Sequence, residues 1–170
     1  MIILGIGSNL NSNFGNRFSN IDLAISYLNV YGIKTLKMSS YYESVSYPNK
    51  NDPKFINVII SVETSLPPID LMSVLIFVEE KLERKRIKKN EPRTCDIDII
   101  DYKQQILNFT YKGEDLVIPH EKLQLRNFVL YPLREIFPDW KHPKTNEKIS
   151  TIIEKLSSED RKSIYKVDNN

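Results

Sequence analysis

The period of the apolar positions changes several times along the chain, and each change marks a predicted element. Ile2 to Ile6 form a short β-rich run closed by Gly7-Ser8-Asn9, whereas Asn20 to Leu28 set Ile21, Ala24, Ile25 and Leu28 at helical spacing. A strand is expected over Ile33 to Tyr42, and a stronger one over Phe55 to Thr64, which is rich in Ile and Val and bounded by Asp52-Pro53 and Pro67-Pro68. The intervening Glu43 to Lys54 reads as a loop. After the two prolines, Leu71, Met72, Leu75, Ile76, Glu79 and Leu82 recur every three or four residues, and Asp70 suits the positive end of a helix dipole. Arg93 to Tyr102 then alternates, with Cys95, Ile97 and Ile99 on one face and Thr94, Asp96 and Asp98 on the other, the carboxylates turned away from the core.

This order is β-α-β-β-α-β. It predicts an α+β, ferredoxin-like antiparallel sheet with helices on one face and the other face free for a site. A hairpin around Lys112-Gly113, a short strand Leu116 to Ile118, a helix near Asn127 to Ile136 and a final helix around Ile149 to Leu156 make a C-terminal extension. With 170 residues, no internal repeat and no linker, residues 1–170 are expected to be a single domain.

Composition narrows the class. Hydrophobic residues at 41% and charged residues at 27% favour neither disorder nor a membrane protein. A formal charge of +2 gives no global attraction for nucleic acid, so an anion site must be local. The lone Cys95 forms no intramolecular disulfide, and one Cys with two His does not build an ordinary zinc site. With no basic leader and no apolar span, a cytoplasmic protein without membrane partners is expected.

Four groups of residues carry candidate chemistry. Asp96 and Asp98 lie on one strand face about 6.6–6.8 Å apart, a spacing and an oxygen-only chemistry suited to magnesium, though a solvated strand face is the competing reading. Lys81, Arg84, Lys85, Arg86, Lys88, Lys89 and Arg93 could be a solvated basic helix end. Their adjacency to the paired carboxylates instead fits a polyphosphate, held by guanidinium forks and bridged by metal. Pro119-His120 and Arg126 read equally as capping groups. Phe55, Asn57 and Phe128 either join the core or clamp a flat heterocycle, since Phe55 and Asn57 share a strand face. Gly5 and Gly7 belong to no G-x-G-x-x-G or Walker motif, so phosphates must be held by side chains.

The residues Gly7-Ser8-Asn9-Leu10, Phe55-Ile56-Asn57, Glu79 with Arg84 and Arg86, Pro92-Arg93-Thr94-Cys95-Asp96-Ile97-Asp98, Ile118-Pro119-His120 and Arg126 through Leu133 together resemble the 6-hydroxymethyl-7,8-dihydropterin pyrophosphokinases of folate biosynthesis. The resemblance runs almost from end to end. It implies an enzyme that moves pyrophosphate from ATP to the pterin alcohol and releases AMP; a monomer acting on small-molecule substrates without nucleic acid is expected. It further implies two Mg²⁺ ions on Asp96 and Asp98. Arg84, Arg93, His120 and Arg126 would face the ATP phosphates, with Arg86 reaching them from a loop and Glu79 on the nucleotide side. Phe55 and Phe128 would sandwich the pterin, Asn57 would bond its edge, and the Val45 loop would contact it largely through backbone. Departures from the family are Glu83 in place of a common glycine, Asn90-Glu91 in place of a Trp-Gly pair, and no glycine in Glu43 to Pro48. A differently closed catalytic loop over Arg86 to Glu91 is therefore expected. Another two-metal nucleotidyl or phosphoryl transferase and a non-catalytic binding module are the alternatives.

Overall fold

In a computed structural model, residues 1–47, 49–85 and 91–169 are described, the side chain of Glu114 excepted. Arg86 and most of the expected catalytic loop lie outside them, as does Pro48. The fold is mixed α/β, an antiparallel sheet with packed helices. Its elements are β1 (Ile2–Ser8), α1 (Arg17–Val30), β2 (Lys34–Met38), β3 (Tyr41–Ser44), β4 (Phe55–Glu63), α2 (Pro68–Lys81), β5 (Asp96–Tyr102), β6 (Leu107–Tyr111), β7 (Glu114–Ile118), α3 (Asn127–Ile136), α4 (Ile149–Glu154), α5 (Ser158–Lys162) and β8 (Ile164–Val167). The main sheet runs β5-β1-β4-β3-β8, with β2 also paired to β4, and β6 and β7 form a separate hairpin.

Local chemistry explains the boundaries. Asn16 caps α1, its Oδ1 accepting from the Phe18 and Ser19 amides at 3.0 Å. Pro68 starts α2 where no intrahelical N–H is needed, with Asp70 in the first turn. The β6–β7 turn takes φ of 50° at Lys112 and 83° at Gly113, the left-handed pair that matches hairpin twist.

Period-2 alternation divides the sheet into two faces. Ile2, Leu4 and Ile6 of β1, Ile56, Val58, Ile60 and Val62 of β4, and Ile97 and Ile99 of β5 pack with Ile21, Leu28, Leu71, Leu75 and Val78 of α1 and α2. The expectation of helices on one face only is corrected here. Ile3, Ile59 and Ile100 point the other way and are buried under Leu130 and Leu133 of α3 and Ile152 and Ile153 of α4. Apolar residues on the second face had to be covered, and the amphipathic α3 does so. What stays open is the polar half of that face.

Three boundaries also differ. The expected strand over Ile33 to Tyr42 divides into β2 and β3. At the break, the Ser39 amide donates to Ile59 O at 2.9 Å and its Oγ accepts from the Ile59 amide at 3.0 Å. β1 continues through Gly7 and Ser8, so these residues lie in the sheet and do not form its terminal turn. β5 begins at Asp96, and Thr94, expected to share the outward face of the carboxylates, is buried at 8% exposure. A register shift leaves Ile100 as an extra residue opposite Ile3 and Leu4. Among the described residues, no helix is long and apolar enough to cross a membrane.

Candidate functional site

The site is a short row of cross-strand neighbours. Gly7 pairs with Asn57 of β4 on one side and Asp96 of β5 on the other, and Gly5 pairs with Ile59 and Asp98. Residues opposite one another in adjacent strands share a face. Asn57, Asp96 and Asp98 therefore stand on the open half of the second face, with glycine between the amide and the carboxylates. A Cβ on Gly7 would lie 3.2 Å from Asn57 Oδ1 and 3.4 Å from a Phe55 ring carbon, so the side-chain-free floor is what leaves room above it.

Asn57 is held by Nδ2, which donates to Ser44 Oγ at 3.0 Å and Tyr42 O at 3.3 Å. The Arg93 guanidinium sits 5.0 Å from the Phe55 ring centroid. Val45 follows directly on β3, half-buried between Ser44 and Ser46.

Asp96 is the centre of the charge arrangement. Arg84 Nη1 donates to its Oδ1 at 2.5 Å, and Arg93 Nη2 donates to its Oδ2. Burial alone would push this carboxyl up, but the two guanidinium groups outweigh it and hold Asp96 below the usual carboxylate range. Arg84 Nη1 also donates to Glu79 Oε1 at 2.5 Å, and the same oxygen accepts from the Ile97 amide at 2.7 Å. Glu79 is 1% exposed. It lies beneath Arg84 as a strut between α2 and β5. Burial opposes the charge of Arg84, yet Asp96 and Glu79 together raise its pKa, so it stays cationic.

Asp98 faces the other half. The protein packed around its carboxylate, and then the charge of Asp96, push its pKa up, with Arg126 opposing, although the side chain is 51% exposed and water weakens the effect. At about 6.7 Å, two carboxylates repel by roughly 2.5 kcal/mol at an effective dielectric near 20. Arg126 Nη1 lies 3.4 Å from Asp98 Oδ2, and its Nη2 is 3.0 Å from His120 Nε2. His120 Nδ1 accepts from the Lys122 amide at 2.9 Å. Both ring nitrogens thus face donors, while a neutral imidazole accepts at only one. An anion between His120 and Arg126 would resolve that conflict. Burial, and then Arg126, lower the His120 pKa, favouring the neutral ring. Phe128 sits in the first turn of α3, half-buried, 5.8 Å from the Arg126 guanidinium.

The fold therefore brings together two neighbouring groups: Arg84, Arg93 and Asp96, braced by Glu79 from α2, beside Phe55 and Asn57, and Asp98, Arg126 and His120 beside Phe128. Arg86 lies outside the described residues. Sequence reasoning missed Asn9, whose Oδ1 accepts from the Arg93 amide at 2.6 Å while its Nδ2 donates to Ser46 Oγ at 3.3 Å and Pro53 O at 3.0 Å. One amide joins three loops. The available signal was a polar Gly-Ser-Asn run after an apolar strand, too common to be decisive.

The donor set fits magnesium. Asp96 and Asp98 offer oxygen only, and Mg²⁺ usually takes one or two carboxylates, completing its shell with water and substrate phosphate. Among the described residues no cluster of three or more His, Cys, Asp or Glu competes as a metal site. Arg93 Nε is buried with no partner among the described residues, a donor suited to an incoming phosphate.

The family 7,8-dihydro-6-hydroxymethylpterin-pyrophosphokinase (HPPK) matches residues 3–138. The folic acid synthesis protein fol1 of Pneumocystis carinii is 39% identical over 155 residues, covering 91% of this chain and 20% of that protein. The 2-amino-4-hydroxy-6-hydroxymethyldihydropteridine pyrophosphokinase of Synechocystis sp. is 36% identical, covering 91% of this chain and 75% of the relative. That of Aquifex aeolicus is 37% identical, covering 84% of this chain and 83% of the relative. The chain thus spans a fifth of the fungal protein and most of the bacterial ones. In fold it is similar to Plasmodium falciparum HPPK-DHPS with pteroate, at a TM-score of 0.71 and 15% identity, covering 89% of this chain and 43% of that one. Because the family match extends from β1 to the end of α3, across every element that carries a candidate site residue, the chain belongs to the 7,8-dihydro-6-hydroxymethylpterin-pyrophosphokinase family.

Proposed function

We propose that this chain transfers the pyrophosphoryl group of ATP to the hydroxymethyl oxygen of 6-hydroxymethyl-7,8-dihydropterin, releasing AMP. The observation that carries the reading is the Asn57–Gly7–Asp96 row, which sets an amide and a ring beside a carboxylate already gripped by two arginines. One end of the row suits a flat heterocycle and the other a polyphosphate. The strand order β5-β1-β4, with β2 and β3 together taking the place of one strand beside β4, supports a ferredoxin-like description, and we treat residues 1–170 as one monomeric, cytoplasmic domain.

In this account Phe55 and Phe128 hold the pterin ring, Asn57 bonds its edge, and the Val45 backbone closes one side. Arg84 and Arg93 exchange Asp96 for phosphate oxygens when ATP enters, and His120 and Arg126 bind phosphate between them. Arg86 would add a further phosphate contact. Asp96 and Asp98 would hold two Mg²⁺ ions, whose chemistry is to offset charge on the bridging and equatorial oxygens. The arginines do the same from the protein side, fixed in advance by Glu79 and Asn9. Holding the hydroxymethyl oxygen near the β-phosphorus turns a bimolecular encounter into a local one.

Equilibrium titration of the fluorescent pterin, with a non-hydrolysable ATP analogue and Mg²⁺ present, tests the arrangement without turnover. Saturable binding is expected, weakened about tenfold by Gly7→Ala, the roughly 1.4 kcal/mol of a displaced Asn57. Equal affinity in parent and variant would remove the pterin from this row.

A further inference from the structure

The carboxyl end of α2 is built for glycine and carries Glu83. The Glu83 amide donates to Glu80 O and the Arg84 amide to Glu79 O, each at 3.0 Å, the paired bonds of a helix that ends on a left-handed residue. Glu83 has φ of 65°, a conformation that glycine adopts freely and that strains a residue with a Cβ. As a cap alone, glutamate is the poorer choice.

Its side chain has a different use. Glu83 Oε2 accepts from the Asn13 amide at 2.9 Å, and Oε1 accepts from Asn13 Nδ2. Asn13 lies in the loop between β1 and α1, and the same loop grips Arg93: the Asn9 and Leu10 amides donate to Arg93 O at 3.0 and 3.2 Å, and Asn9 Oδ1 accepts from the Arg93 amide. The loop is itself fixed to the buried Asn20, whose Nδ2 donates to Leu10 O at 2.9 Å and whose Oδ1 accepts from Ser12 Oγ at 2.6 Å. One anchored loop therefore holds the chain at Glu83 and at Arg93. Next to Glu83 is Arg84, and the side chains of Arg84 and Arg93 meet on Asp96.

We infer that Glu83 is a positioning residue for the ATP phosphate site, its carboxylate tying the root of Arg84 to the loop that also fixes Arg93. The inference rests on the phosphate role proposed for these arginines. Without the tether, Arg84 leaves α2 from a less defined point and spends binding energy on being ordered.

Substitutions at position 83 separate a tether from a cap. Glu83→Ala keeps the Cβ and the backbone strain and removes only the carboxylate; Glu83→Gly removes both; Glu83→Gln keeps an acceptor of the same reach. Glu83→Ala and Glu83→Gly are both expected to raise KM for ATP about fivefold, with KM for the pterin unchanged and Glu83→Gly melting at the higher temperature. Glu83→Gln should recover most of the ATP affinity, and Asn13→Ala combined with Glu83→Ala should cost less than the sum of the two. An ATP KM that is unchanged in Glu83→Ala, or restored to the parent value in Glu83→Gly, would overturn the inference. Calorimetric affinity for magnesium-ATP reads the same loss without turnover, so it tests the tether even if the parent protein forms no product.

Discussion

Asp96→Asn is expected to lower kcat/KM by about 10³-fold or more while the protein remains folded. The substitution keeps the side-chain volume but removes one of two carboxylates that would hold metal, and it leaves Arg84 and Arg93 without the charge they share. The guanidinium groups would then face an amide that is partly a donor, and their positions relative to incoming phosphate would change. Steady-state kinetics at saturating Mg²⁺, with circular dichroism to check folding, measures the effect. A loss below tenfold would mean that the reacting phosphates lie away from this carboxylate.

Glu79→Ala should be the most damaging change for stability. Glu79 is 1% exposed, the Arg84 side chain 10% exposed, and a single glutamate oxygen serves both the guanidinium and the Ile97 amide. Removing it leaves a largely buried cation with one carboxylate partner fewer and strips the Ile97 N–H of that acceptor. Breaking a buried pair of this kind costs about 3–5 kcal/mol. In a chain of this size that corresponds to a fall in Tm of roughly 6–20 °C. Glu79→Gln, which keeps an acceptor, should fall between the parent and Glu79→Ala. A Tm within about 2 °C of the parent would show that Arg84 finds another counter-charge and that the strut is dispensable. The resemblance placed Glu79 on the nucleotide side; among the described residues it bonds Arg84 and the Ile97 amide, a route by which it would act on ATP through Arg84.

Much of this arrangement is legible in the residue pattern. The alternation over Arg93 to Tyr102 and the three- and four-residue spacing from Leu71 to Leu82 specify element and face together, because one register is forced wherever one side is apolar. The Asp96-Ile97-Asp98 spacing then puts both carboxylates on the face opposite Ile97. Covering of the second face was less accessible: Ile3, Ile59 and Ile100 each read as one apolar residue among many, and only their meeting across three strands calls for α3 and α4. The last strand, β8, has four residues with exposed Tyr165 and Lys166 in its middle, and such a segment pairs for want of any other neighbour at β3. Thr94 and Asn9 show the opposite limit. Thr94 reads as an outward-facing strand residue and Asn9 as part of a polar turn, and both are buried because β1 and the segment before β5 converge there. Glu83 stands out in the sequence only as a departure from the family's common glycine, and its left-handed backbone and its bonds to Asn13 appear only in the fold.

The central claim is the identity of the bond that breaks in ATP. Phosphorus NMR of the protein with ATP, Mg²⁺ and 6-hydroxymethyl-7,8-dihydropterin reads it directly. AMP and a pterin diphosphate should appear together in equal amounts, with neither forming when Mg²⁺ is chelated. Formation of ADP, or intact ATP over a folded protein with both substrates present, would contradict the account.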